Sequence, residues 1–311
     1  MTTAPELSCY TAALVSYLEP DRPHAGAELA DAVGLSVRTD PTEGTLAFTH
    51  HDRVDVDGEG LGLAYRGAGS WDAAREALLA ESRRRGRVLA VGNTRHLPWS
   101  PSYGGGETPH WLLVTRADDG QWAVRDAFEA LTPHGAHAPW EGLVSDAGLR
   151  ALLTPPTALT PEAANRDRYA LGREVPLPAA DGYRWLERAA VEDGPGGAGA
   201  GHWVHGTVAV LRHITDRLCR DAVALAAHAD DLWTAARHQR HRLAAGRDAR
   251  RADAEAVRRA AAAWAELPRA VRFSVASAER GRPRPAVVQK AFAELVDAVE
   301  ELETKDGPHE D

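Results

Sequence analysis

Cysteine is nearly missing from this chain: Cys9 and Cys219 are the only two in 311 residues. Two cysteines cannot build a disulfide framework, which excludes the disulfide-stapled secreted scaffolds. Long apolar runs are missing too. No uninterrupted stretch approaches the roughly 20 residues a membrane helix needs. The opening MTTAPELSCYTAALVSYLEPD has no basic n-region and carries Glu6 and Glu19, unlike a secretory signal. Basic charge is the third scarcity. With a net charge of −9, a broad nucleic-acid-binding face is excluded, and the short run Arg83–Arg85 reads as a solvated helix face. The expectation is a soluble protein of a reducing cytoplasm, with no membrane or nucleic-acid partner.

What is present is ordinary globular material, 44% hydrophobic and 26% charged. Ser8 is placed to cap a short helix from Cys9 that Pro20 stops. A helix is expected over 70–86, with Ser70 as cap and Gly86 as stop. RVLAVG (87–92) is a compact apolar run suited to a buried strand, and GTLAFTHHDRVDV (44–56) is strand-like. HWLLVTR and QWAVRDAF flank the turn ADDG as two antiparallel strands, and 143–153 forms a helix capped by Ser145 or Asp146. From 202 to 304 the pattern is almost wholly helical. The chain therefore predicts an α+β N-terminal domain over 1–155 and a connector over 156–201 with a Gly-rich loop. A helical domain over 202–305 packs on the first, and a disordered tail follows at 306–311. No internal repeat is present.

A helix N-terminus favours a thiolate, and its unsatisfied backbone N–H groups can donate to an oxyanion. Cys9 stands at such a position, although the same place fits an inert small hydrophobe. A nucleophilic cysteine needs an imidazole base, which a carboxylate or amide orients. Asp118-Asp119-Gly120 fits a three-residue type I turn closed by a glycine in the left-handed region. That turn pairs Ala117 with Gln121 and Leu112 with Asp126, placing His110 and Asp126 on one face as diagonal neighbours. A two-residue loop would put them on opposite faces.

The run C-x-x-A-A-L at Cys9, HWLLV at 110–114 and VRDAF at 124–128 resembles the papain-like fold of the bacteriocin-processing double-glycine peptidases. With the Leu97-Pro98-Trp99 passage before His110, the stretch RVLAVGNTRHLPWSPSYGGGETPHWLLV is similar to the butirosin biosynthesis protein H-like family. The resemblance spans 5–153, and loosely 202–304. It implies a papain-like domain, an antiparallel sheet with an N-terminal nucleophile helix, and a cofactor-free cysteine acyltransferase of natural-product assembly. Such an enzyme takes an acyl group from an acyl carrier protein or related thioester and passes it to a small-molecule amine or hydroxyl. By position, Cys9 is the nucleophile, His110 the general base and then acid, and Asp126 the orienting carboxylate. Papain-like peptidases carry a glutamine shortly before the cysteine; here that region is MTTAPELS. Asn93 is the candidate second oxyanion donor, with Trp99 and Tyr103 as candidate substrate contacts. A hydrolase or thioester cyclase with the same three residues, and a non-catalytic carrier-protein scaffold, remain as alternatives.

Other features have plainer readings. His50-His51, His134-x-x-His137 and His202-x-x-His205 lack ligands at a closed-site spacing, so no metal is expected. GEGLGLAYRG (58–67) reads as a turn, and Gly104–Gly106 as a mobile flap. Trp203, Trp233 and Trp264 are core or interface anchors, or else line a pocket. Cys219 is a buried helix residue. The arginines around 236–258 are the candidate docking patch for an acidic carrier protein. Oligomeric state is open, with a homodimer compatible with the sequence.

Overall fold

The computed structural model describes residues 6–40, 45–117, 120–132, 135–179, 181–191, 201–247 and 252–305. Its elements begin with α1 (Cys9–Leu18), α2 (Ala25–Ala32), β1 (Val33–Arg38), β2 (Ala47–His51), β3 (Leu61–Ala68), α3 (Trp71–Arg85), β4 (Val88–Asn93), β5 (Pro109–Arg116) and β6 (Trp122–Asp126). Then come β7 (Ala130–Thr132), β8 (Gly135–His137), β9 (Trp140–Val144), α4 (Asp146–Leu152), α5 (Pro161–Arg168), β10 (Tyr183–Ala190) and β11 (Trp203–His205). Five helices close the chain: α6 (Thr207–Arg220), α7 (Ala222–Ala227), α8 (Ala229–Ala245), α9 (Ala254–Glu279) and α10 (Pro285–Lys305). It is a mixed α+β protein with antiparallel sheets in its N-terminal part and a mostly helical C-terminal half. No helix among the described residues is long and apolar enough to cross a membrane.

The chain forms two compact units, one from residues 1–26 and 53–199, the other from 27–52 and 200–311. The first is organised on a six-stranded antiparallel sheet in the order β3-β10-β4-β5-β6-β9. All six residues of β4 and the first six of β5 are buried, because both faces of the sheet are covered. Leu89, Val91, Trp111 and Leu113 share one cluster with Ala13, Leu14, Tyr17 and Leu18 of α1. Their neighbours Val88, Ala90, Leu112 and Val114 pack with Leu78 of α3 and Leu149 and Leu152 of α4. Period-two alternation thus divides two strands between two cores. Each fully buried leucine contributes about 1.5–3 kcal/mol.

Local signals account for the helix ends. The Ser8 hydroxyl accepts the Thr11 N–H at the start of α1, and Ser70 accepts from Ala73 at the start of α3. Ser145 caps α4 by accepting from Gly148. Gly86 ends α3 at φ 77°, a conformation costly for residues with a Cβ. The β5–β6 hairpin has the register its turn predicts. Ala117 N–H donates to Gln121 O at 3.0 Å, Leu113 faces Arg125, and Gly120 has φ 78°. Asp118 and Asp119 lie outside the described residues.

The chain path differs from the expected domain boundaries. Within the expected connector 156–201, β10 pairs with β3 over eight residues and with β4, inside the first unit's sheet. The aromatic strand YRWLERAA carries that pairing, and its partners lie about a hundred residues earlier. Residues 58–67 are also only partly a turn: Leu61–Ala68 is β3, with Leu63 and Tyr65 buried. Glycines at 62 and 67 obscure its alternation. Gly67 admits no side chain, because a Cβ there would meet Pro178 at 2.6 Å.

In the second unit, β11, β1 and β2 form a three-stranded sheet. Leu35, Val37, Leu46 and Phe48 join the core of α6–α10, whose largest buried side chains are Trp264 and Phe292. Cys219 lies buried in that core.

Candidate active site

Cys9 is the first residue of α1 and is partly exposed. At a helix start the first N–H groups have no intrahelical partner. Thr11 N–H is taken by the Ser8 hydroxyl at 3.3 Å, and Ala12 N–H by Ser8 O at 2.9 Å. The N–H groups of Cys9 and Tyr10 are therefore left beside the sulfur as donors. Tyr10 is held by Trp111 of β5, edge-on with ring centroids 5.1 Å apart.

His110 stands near the start of β5 and Asp126 at the end of β6, both almost fully buried. The hairpin register puts them on one face, and His110 Nε2 lies 2.8 Å from Asp126 Oδ2. Cys9 acts on the His110 ring through both its charge and its side chain. With Nε2 committed to Asp126, Nδ1 is the ring nitrogen left for the thiol.

Asp126 holds more than one histidine. His137, at the end of β8, brings its own Nε2 to the same Oδ2 at 2.9 Å. Trp99 Nε1–H donates to that oxygen at 2.8 Å, and Phe128 N–H donates to Oδ1 at 3.0 Å. Phe128 lies edge-on to both imidazoles. The buried hydrogen-bonded group is thus His–Asp–His with an indole, and not a Cys–His–Asp set; Cys9 adjoins it only through His110.

Electrostatics follow from this packing. Burial opposes the charged form of His110, but the Asp126 carboxylate and the adjoining Cys9 outweigh it, raising the imidazole to about 10. Burial likewise opposes the Asp126 carboxylate. The charge of His110 and hydrogen bonds from His110, His137 and Trp99 prevail, holding it well below the usual carboxylate range. An ionised Asp126 only accepts, so both histidines present Nε2–H to it.

Among the described residues, His110, Asp126 and His137 alone bring three metal-ligating atoms within 4.8 Å of one another. Two ligands each about 2.0–2.1 Å from a tetrahedral zinc ion stand about 3.3 Å apart. The histidine-to-carboxylate separations of 2.8 and 2.9 Å are instead those of direct hydrogen bonds, and Trp99 occupies the same oxygen. The residues do not fit a metal in this arrangement.

The remaining expected site residues lie at the end of β4 and on the loop that follows it. Asn93 is buried, accepts the Arg95 N–H on Oδ1 at 3.1 Å and points its amide at Glu107 Oε1 at 3.4 Å. Its side-chain oxygen thereby caps a 3-10 turn, Thr94–His96. Trp99 serves the carboxylate and stacks on Trp140, centroids 3.9 Å apart. Tyr103 is 60% exposed on the following turn. The glycine segment is tied down: Gly104 N–H donates to Arg95 O at 2.8 Å, and Gly106 O accepts Thr94 Oγ1 at 2.9 Å.

Burial, and then the Asp216 charge, push the Cys219 thiol up to about 11, so it is inert near neutrality. Of the arginines around 236–258, Arg247 pairs with Asp31, Arg258 with Glu255, and Arg237 lies over the Trp233 ring. His137 is the residue the sequence reading missed. Its H-x-x-H spacing was its only signal, and His134 lies outside the described residues.

No protein-family model matches this chain, and no curated protein matches its sequence.

Proposed function

We propose that this protein is a cysteine-dependent acyltransferase acting on an activated acyl thioester. The observation that carries the reading is Cys9 at a capped helix start, against an imidazole whose other nitrogen is bound to a buried carboxylate. An imidazolium beside a cysteine favours the thiolate, the nucleophilic form. The thiolate attacks the thioester carbonyl, and the backbone N–H groups of Cys9 and Tyr10 are the available donors to the oxyanion. Collapse breaks the carbon–sulfur bond to the donor, whose departing thiolate takes the proton from His110. The now neutral His110 removes a proton from an acceptor amine or hydroxyl as it attacks the acyl-Cys9. Cys9 leaves as thiolate, and the acyl group ends as an amide or ester.

A helix bearing the nucleophile, packed on an antiparallel sheet bearing the histidine and the acid, is compatible with a papain-like arrangement. The likeness of 5–153 to the butirosin biosynthesis protein H-like family favours a carrier-protein thioester as donor and a natural-product precursor as acceptor. A thioesterase, peptidase or cyclase would use the same residues. The missing glutamine favours thioester chemistry over peptide cleavage, because an amide demands more from the oxyanion site.

Intact-protein mass after mixing with a panel of acyl carrier protein and small-molecule thioesters tests the reading. An acyl adduct lost in Cys9→Ala is expected, with release that depends on added amine. Release to water alone assigns a hydrolase. If no thioester labels Cys9, the catalytic reading fails and the scaffold reading stands.

A further inference from the structure

At the opposite end of α1 from Cys9, eight residues or about 12 Å along the helix, the first unit holds a cavity of about 490 Å³. Four arginines, Arg22, Arg85, Arg87 and Arg188, line it together with Tyr17. In a chain of 45 acidic and 36 basic side chains, such a gathering of guanidinium groups is contrary to the overall charge.

Three of the arginines are fixed in place. Arg22 donates to Val54 O at 2.6 Å, Arg87 Nε to Tyr17 O at 2.6 Å, and Arg188 to Leu61 O at 2.9 Å. Arg87 and Arg188 both lie over the Tyr17 ring, 4.9 and 5.6 Å from its centroid. Arg85, exposed in the last turn of α3, makes no hydrogen bond or ion pair among the described residues and acts on Asp57 through its charge. Two carboxylates share the lining. Asp21 pairs with Arg87, and Asp57 Oδ2 lies 3.6 Å from Arg188. Among the lining side chains four guanidiniums stand against two carboxylates, so the lining is positive on balance and favours an anion.

We propose that this cavity binds the diphosphate group of a small anionic ligand. Guanidinium forks match phosphate oxygens two at a time, and anchored forks lose little freedom on binding. A lone carboxylate would occupy one fork and leave the other guanidiniums of the lining unused. A diphosphate offers enough charge and oxygens for several, and the cavity falls in the range of small-molecule sites. The proposal is independent of the chemistry at Cys9.

Titration calorimetry on the full chain with inorganic pyrophosphate and with ADP, at low ionic strength, tests it. Saturable one-site binding that weakens with added salt is expected. Arg85→Glu, which reverses the charge of an exposed side chain that makes no hydrogen bond, should weaken both probes at least about tenfold. Asp21→Asn, which removes a competing carboxylate, should tighten both. Equal affinities for the probes identify the diphosphate alone as the recognised group, while tighter ADP binding identifies a nucleoside diphosphate. No saturable binding of either probe, or unchanged affinity in Arg85→Glu with circular dichroism intact, overturns the proposal.

Discussion

His110 and His137 lie nearly parallel, with ring centroids 5.2 Å apart and planes 18° apart, and both place Nε2 on Asp126 Oδ2. One carboxylate oxygen therefore orients the histidine beside Cys9 while being held by a second histidine and by Trp99. Removing either outer donor should loosen Asp126 without touching Cys9. We expect His137→Ala and Trp99→Phe each to cost about 1.5–3 kcal/mol of stability, the value of a hydrogen bond to a charged group. Trp99→Phe keeps an aromatic ring against Trp140. A Trp99→Phe protein with the wild-type denaturation midpoint would show that the indole N–H contributes nothing.

Cysteine labelling separates the two thiols. At pH 7 a thiol at about 11 is ionised in about one molecule in ten thousand, so Cys219 should resist iodoacetamide. Labelling should fall on Cys9, and His110→Ala should slow it at least about tenfold, since the imidazole base is lost. Peptide mapping at a series of times reads both. Equal labelling of Cys9 and Cys219 would remove the basis for treating Cys9 as a nucleophile.

The first unit should lose stability as pH rises above neutrality. His110 holds its proton up to about 10 when folded and up to about 6.5 when unfolded, so its contribution is whole below 6.5 and declines towards 10. The slope is at most about 1.4 kcal/mol per pH unit. Hydrogen exchange in β5 and β6 between pH 6.5 and 10, corrected for intrinsic rates, should show this decline, and His110→Gln should flatten it. On the acid side, the lowered Asp126 gives stability that is present above about 4 and lost as pH falls further.

The second unit should respond in the opposite sense. Burial, and then the neighbouring charges of His50, His51 and His241, hold His238 well below the usual histidine range. The unfolded chain therefore takes up a proton below about 6.5 that the folded unit refuses, and stability falls on acidification. Hydrogen exchange in α8 and α9 between pH 7 and 5 measures it. His238→Phe should reduce the dependence; an unchanged profile would place the titrating group elsewhere.

Much of the first unit was legible because its signals are local. Ser70 and Gly86 delimit α3, and the turn ADDG determines which residues of β5 and β6 face each other, hence the meeting of His110 and Asp126. What was not legible depends on distant pairing. Nothing near Tyr183 announces that β10 lies between β3 and β4, and nothing near Phe48 assigns it to a core of helices that begin at Thr207. The convergence of His137 and Trp99 on Asp126 is likewise tertiary, and neither residue carries a local mark of it. Asn93 is the converse, a local effect: at the end of β4 its side-chain oxygen caps the turn that follows it in sequence.

The place of β10 between β3 and β4 also orders events during synthesis. The sheet that carries His110 and Asp126 cannot be completed until residues 183–190 have left the ribosome, although both site residues emerge much earlier. Segment 27–52 must in turn wait for residues beyond 200. Neither unit is one continuous stretch of chain, so no single cut yields either of them intact. A fragment ending at residue 155 leaves β3 and β4 with unpaired edges, the kind of surface on which other chains template aggregation.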